Sequence, residues 1–168
     1  RMHAEIPKQF LNINGKPLLF YTINCFESYL KGIPIIVVLP EPYIDYWKSI
    51  IKKNDFGIIH QIAIGGQTRF QSVKNGLDFI NESTVVAVHD GVRPFVSKET
   101  LNRVFSKAEK EGNAIPIFPV IDSMRKIVSD NSEPVNRDNY RIIQTPQCFH
   151  SELLKRAYEQ DYLEDKLP

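Results

Sequence analysis

Cysteine is scarce: Cys25 and Cys148 are the two in a chain of 168 residues. They lie far apart, with no CxxC and no histidine at zinc spacing. That pattern argues against a disulfide scaffold and a structural zinc site, and it makes a reducing, cytoplasmic setting the expectation. Long apolar runs are missing too. The longest runs from Ile33 to Pro40, whereas a membrane-spanning helix needs about 20 residues, so no membrane partner is expected. Neither sign of charge dominates: Lys+Arg total 21 and Asp+Glu total 20, a net charge of +1. The uniform basic field of a sequence-blind nucleic-acid binder is therefore lacking, and no nucleic-acid partner is expected. There is no internal repeat and no low-complexity tract. There is also no GxGxxG with an acidic residue about 20 positions beyond it, so a nicotinamide dehydrogenase on a nucleotide-binding sheet does not fit.

What remains reads as one globular domain, with 42% apolar and 24% charged residues. Ile35 to Leu39, Ile58 to Ile64, Thr84 to Val88 and Ala114 to Val120 are short apolar runs of the kind that strands buried on both faces show. Pro116 and Pro119 interrupt the last, so that strand is expected to bend or lie at an edge. Between the runs, apolar residues recur at helical spacing. Leu19, Ile23 and Phe26 share a face, as do Ile44, Trp47 and Ile51. Phe70, Val73, Leu77 and Ile80 form a third set, and Leu101, Val104, Phe105 and Ala108 a fourth. Ser97 suits the N-cap of the last of these. A final helix is expected from about Ser151 to Tyr162. Alternating strands and helices predict an α/β fold with a mostly parallel sheet sandwiched by helices. The stretch 122–144 breaks the rhythm, and Arg125–Val128 is expected to pair with Tyr140–Ile143 as a projecting hairpin arm.

In open α/β sheets, ligands bind beyond the carboxyl ends of strands. Gly65-Gly66-Gln67-Thr68-Arg69 falls there. Taken alone it is either a tight turn or a loop that lets an anion approach backbone N–H groups at a helix start. His89-Asp90-Gly91-Val92-Arg93-Pro94 follows another predicted strand. Asp90 is either a turn former or a holder of a divalent cation. Arg93 either pairs with Asp90 or meets a ligand, and His89 reads as a packed strand-end residue. Asp122-Ser123 follows a third run. Arg1 and Lys8, the latter in Pro7-Lys8-Gln9-Phe10, are solvated charges unless a site gathers them.

In order along the chain, Arg1-Met2, Pro7-Lys8-Gln9-Phe10, Gly65-Gly66 with Arg69 and Ser72-Val73, Gly76-Leu77, His89 to Pro94, Asp122-Ser123, Arg137 and Gln144-Thr145-Pro146-Gln147 together resemble the 2-C-methyl-D-erythritol 4-phosphate cytidylyltransferase family. The likeness runs from Arg1 to about Tyr158. It implies a single nucleotidyltransferase domain over 1–168, Rossmann-like, that joins CTP to a sugar-alcohol phosphate and releases pyrophosphate. It also implies residue roles. Arg1, Lys8 and Arg137 are the catalytic cations. Arg1, Lys8, Gly65, Gly66, Gln67, Ser72, Asp90 and Gly91 hold CTP. Asp90, Arg93, Ser123 and Arg137 bind the sugar phosphate. Asp90 is the ligand for Mg²⁺. Ser123 stands where the family has threonine. The arm of about 122–144 is implied to exchange between the subunits of a homodimer.

The resemblance also implies a glycine-rich loop and first strand ahead of Arg1, and a lysine-bearing segment beyond about residue 162, so the natural chain is expected to be longer at both ends. Two rival readings stand beside the first. One is ribitol-5-phosphate cytidylyltransferase, which shares the CTP-side residues. The other is a non-catalytic nucleotide-binding module, which the molecule would be if it is truly this short.

Overall fold

The computed structural model describes residues 6–160. Arg1 and the expected helix end at Tyr162 lie outside them. Pro7 leads a 3-10 turn, Lys8–Phe10, that leaves Lys8 exposed and drives Phe10 into the core. Strands β1 (Asn12–Ile13) and β2 (Lys16–Pro17) form a hairpin. Its turn is Asn14-Gly15, at φ 49° and 81°, the left-handed pair that suits a two-residue hairpin loop. Helix α1 (Leu18–Tyr29) starts directly after Pro17 and buries Leu19, Phe20, Thr22 and Ile23. Next come β3 (Ile36–Leu39), α2 (Ile44–Lys53) and β4 (Gln61–Ile64), with β3 and β4 pairing in parallel. Trp47 of α2 is 0% exposed. Its ring meets Phe20 edge-on at 5.3 Å and lies 6.0 Å from Phe10, so the first core ties the Lys8 turn to α1 and α2.

Helix α3 (Arg69–Leu77) is capped by Thr68, whose hydroxyl accepts the Gln71 N–H. It leads to β5 (Val85–Val88) and α4 (Lys98–Glu111). Ser97 caps α4 as expected, its hydroxyl accepting the Thr100 N–H, and Gly112 ends it at φ 90°, a conformation for which glycine carries no Cβ penalty. Helix α4 buries Leu101, Val104 and Ala108, the expected face without Phe105. Then follow β6 (Asn113–Ala114), β7 (Ile117–Pro119), β8 (Arg125–Val128), β9 (Asn131–Pro134), β10 (Arg141–Ile143), β11 (Gln147–His150) and α5 (Ser151–Tyr158). No helix of the described residues is long and apolar enough to cross a membrane.

The architecture is mixed α/β, but the strand pairing departs from expectation. Among the described residues only β3–β4 is parallel; β11 runs antiparallel to both β5 and β6, and the remaining pairs are antiparallel. The expected mostly parallel sheet is therefore not what these residues form, because β3 and β5 do not pair with each other. Their facing edges line a cavity of about 1280 Å³. The run Ala114 to Val120 divides at Ile115-Pro116, and its halves join different sheets. A ladder donor is missing at Pro116, which is where the division falls.

The hairpin is also corrected. Arg125–Val128 pairs with Asn131–Pro134, not with Tyr140–Ile143, and β10 pairs with β7 instead. Ser129, at φ 52°, turns the chain sharply enough for Asn131 and Ser132 to belong to the returning strand. The excursion thus has two storeys: a root, β7–β10, and a tip, β8–β9.

Candidate functional site

The loop after β4 is shaped from below by α3. Gly65 N–H donates to the Leu39 carbonyl at 2.8 Å, extending the β3–β4 register. Gly66 N–H donates to Ser72 Oγ at 3.1 Å, and Gln67 N–H to Gln71 Oε1 at 2.8 Å. Gln71 and Ser72 of the first helical turn therefore hold the glycine loop down. The fit is tight: a Cβ on Gly66 would lie 2.3 Å from the Cβ of Gln71 and 3.3 Å from its backbone carbon. Gly66→Ala is expected to cost about 1–3 kcal/mol through this overpacking. Chemical denaturation measures it, and a change within about 0.3 kcal/mol would show that the loop yields freely.

The loop after β5 is held from two sides. Thr22 of α1 donates its hydroxyl to the Gly91 carbonyl at 2.8 Å. Within the loop, Arg93 N–H donates to the Asp90 carbonyl at 3.0 Å, and Arg93 Nε pairs with Asp90 Oδ2 at 2.9 Å. The two side chains are 48% and 33% exposed, so the pair is partly solvated and contributes little stability. Its effect is orientation. Arg93 Nη1 also donates to Gln144 Oε1 at 2.6 Å. Burial pushes the His89 imidazole down from the ordinary histidine value, against its hydrogen bond to Arg93 and the nearby Asp90. A neutral ring donates from Nε2 to the Arg93 carbonyl at 2.8 Å, its other nitrogen acting as acceptor. Nδ1 and the Thr145 hydroxyl are both buried without a hydrogen-bond partner among the described residues. His89 packs edge-on to Phe26 at 4.9 Å, in keeping with a strand-end role.

Ser72, Asp90 and Gly91 line the cavity between β3 and β5, as do Gln9, adjacent to Lys8, and Arg69. Gly65, Gly66 and Gln67 join this group through Ser72 and Gln71, and Arg93 through Asp90. Ser123 and Arg137 belong to the excursion and do not line the cavity. Arg137 starts a 3-10 turn, Arg137–Asn139, and its guanidinium donates to the Ile121 carbonyl. Arg1 lies outside the described residues. The chain's cysteines stand apart from this chemistry: burial raises the Cys148 thiol to about 12 and also raises Cys25.

Two residues in this arrangement were not singled out for a role by the sequence. Gln71 carries no local signal beyond lying three residues after the Thr68 cap. Gln144 stands in the Gln-Thr-Pro-Gln motif, but only its contact with Arg93 shows what it touches.

A magnesium ion is held through one or two carboxylates plus substrate phosphates, keeping several waters. Asp90 fits that requirement as a single carboxylate at the cavity wall. Arg93 engages Oδ2, and Oδ1 carries no hydrogen bond or ion pair among the described residues.

The family model described as 2-C-methyl-D-erythritol 4-phosphate cytidylyltransferase, IspD, matches residues 1–166. A protein of that name from Bacteroides fragilis is 47% identical over 162 residues, covering 96% of this chain and 74% of that protein. One from Porphyromonas gingivalis is 44% identical over 164 residues, covering 98% of this chain and 73% of the relative. Among solved structures, the bifunctional IspDF from Campylobacter jejuni superposes with a TM-score of 0.79 at 30% identity, over 96% of this chain and 40% of that one. The 2-C-methyl-D-erythritol 4-phosphate cytidylyltransferase from Thermus thermophilus gives 0.72 at 29%, over 95% and 76%.

Proposed function

Since the chain belongs to the 2-C-methyl-D-erythritol 4-phosphate cytidylyltransferase family, we propose that it transfers CMP from CTP to 2-C-methyl-D-erythritol 4-phosphate, releasing pyrophosphate, in the non-mevalonate route to isoprenoid precursors. What carries this reading is the match over residues 1–166. The geometry supports it, because Ser72, which holds the 65–67 loop, lines one cavity together with Asp90 and Gly91. The ribitol-5-phosphate reading shares the CTP-side residues, but the family model and the relatives reported above carry the methylerythritol phosphate name, and it is not favoured.

The chemistry needs no residue of unusual acidity. An oxygen of the sugar phosphate, already ionised at neutral pH, attacks the α-phosphorus of CTP. A new P–O bond forms, the bond from the α-phosphorus to the bridging oxygen breaks, and pyrophosphate carries away the electron pair. The obstacle is mutual repulsion between two polyanions, so catalysis is positioning plus electrostatics. Lys8 supplies a mobile point charge to the triphosphate, and Arg1 a planar fork. The 65–67 loop, held in shape by its bonds to Leu39, Ser72 and Gln71, receives the nucleotide together with Ser72, with Asp90 and Gly91 facing its ribose side. Mg²⁺ held by Asp90 would supply further neutralisation of phosphate charge. Arg93, Ser123 and Arg137 bind the sugar phosphate.

The excursion is the dimerisation arm in this reading, and the β3–α2–β4 crossover is the Rossmann-like element of the domain. Ile117, Phe118, Ile121, Ile127, Ile142 and Ile143 lie exposed along root and tip. A second copy would cover them, and arm exchange would bring Ser123 and Arg137 to a neighbouring site.

The test is a turnover assay with both sugar phosphates, repeated on Arg137→Ala. Preference for methylerythritol phosphate is expected, with the variant raising its KM by about a hundredfold, as loss of a bidentate phosphate contact implies. Equal use of ribitol 5-phosphate, or a KM that changes for CTP alone, would count against the assignment.

A further inference from the structure

Gln144 joins two parts of the molecule that the chain keeps far apart. It follows β10, and its N–H donates to the Pro116 carbonyl at 2.9 Å, one step beyond the Ile143–Ile117 pairing. It therefore belongs to the root of the excursion, from which residues 120–140 project. Its side chain turns the other way, and Oε1 accepts Arg93 Nη1 at 2.6 Å. Arg93 in turn grips Asp90 through Nε at 2.9 Å. A single guanidinium is thus held at one edge by a carboxylate and at another by a neutral amide. The difference in charge matters. An amide oxygen fixes the plane of the guanidinium without neutralising it, so Asp90 keeps the only carboxylate pairing with Arg93 among the described residues. A five-donor planar fork anchored at two points loses its freedom to rotate, and the donors not so engaged keep a fixed direction.

We propose that Gln144 is a positioning residue: through Arg93 it sets the direction of the Asp90–Arg93 pair relative to the root of the arm, and so aligns the nucleotide-side loop with the sugar-phosphate-binding arm. This rests on the cytidylyltransferase reading for its functional part, whereas the tie to Arg93 stands on geometry alone.

The Q144M variant keeps the side chain's length and removes the acceptor, and Q144E keeps the acceptor. By NMR, rotation of the Arg93 guanidinium about its Nε–Cζ bond is expected to be about tenfold faster in Q144M, the scale of one lost hydrogen bond to a charged group, and to stay slow in Q144E. In turnover assays Q144M is expected to raise the KM for methylerythritol phosphate about tenfold, with kcat within about twofold of the parent. The same change made in an R93A background is expected to do nothing further. Unchanged guanidinium rotation in Q144M would overturn the tie. Faster rotation with unchanged KM, or the same loss with and without Arg93, would overturn the positioning role. Faster rotation in a protein whose parent transfers no cytidylyl group would leave the tie standing and remove the enzymatic reading instead.

Discussion

Lys8→Ala lowers turnover by at least about a hundredfold and leaves the fold intact. The expectation follows from how the turn is built. Phe10, 1% exposed, anchors the turn among Tyr43, Tyr46 and Trp47. Lys8 points outward, and its ammonium makes no hydrogen bond or ion pair among the described residues. Its removal therefore takes nothing from the core, and any loss is a loss of function. In the proposed reaction this charge meets a triphosphate that gains negative charge on its bridging oxygen. Removing one such preorganised donor typically costs about 10²–10³ in rate. The measurement is kcat at saturating CTP and sugar phosphate, beside circular dichroism of the same sample. A folded variant turning over at a near-parental rate would remove Lys8 from the mechanism.

Trp47→Ala acts on the other side of the same turn. The indole is wholly buried and touches Phe10, Phe20 and Phe56, and its N–H donates to His60 Nε2 at 3.0 Å. Truncation removes the ring contacts and opens a cavity, at a cost of about 3–5 kcal/mol. It also strands the His60 acceptor. Against a total stability of about 5–15 kcal/mol, this is enough to unfold a large share of the molecules. Chemical denaturation should show the midpoint falling far below the parent, or no folded baseline at all. Trp47→Phe, which keeps an aromatic ring but loses the donor, should cost less, about 1–3 kcal/mol. A loss below about 1 kcal/mol in Trp47→Ala would mean that the first core does not depend on the indole.

Helices were legible in the sequence because their signal is local. The spacing of Leu101, Val104, Phe105 and Ala108 after the Ser97 cap marks α4, and the structure buries that face apart from Phe105 and closes the helix at Gly112. Strand pairing was not, because register depends on what lies opposite. Tyr140–Ile143 looks as suitable a partner for Arg125–Val128 as Asn131–Pro134 does, and the φ of Ser129 decides between them. Likewise, apolar runs at 36–39 and 85–88 suggest neighbours in one sheet, yet nothing in either run states whether they touch. The Asn14-Gly15 pair is a plain hairpin signal, but strands of two residues are too short for periodicity to mark. At the site, residue types announced Asp90, Arg93 and the glycine pair. The amides of Gln71 and Gln144 became visible only through the partners they hold.

The separation of β3 from β5 bears on where the fold can accept a further strand. Each strand offers one face of its backbone to no other strand among the described residues, and the edges are Ile36–Leu39 and Val85–Val88, all β-branched or small apolar residues apart from Leu39. Such rows are templates on which further extended chains stack. Both rows are at least half-buried, with no fully exposed residue in either. An added strand would therefore insert at the heart of the fold, between the two rows, and not lengthen a sheet at its periphery.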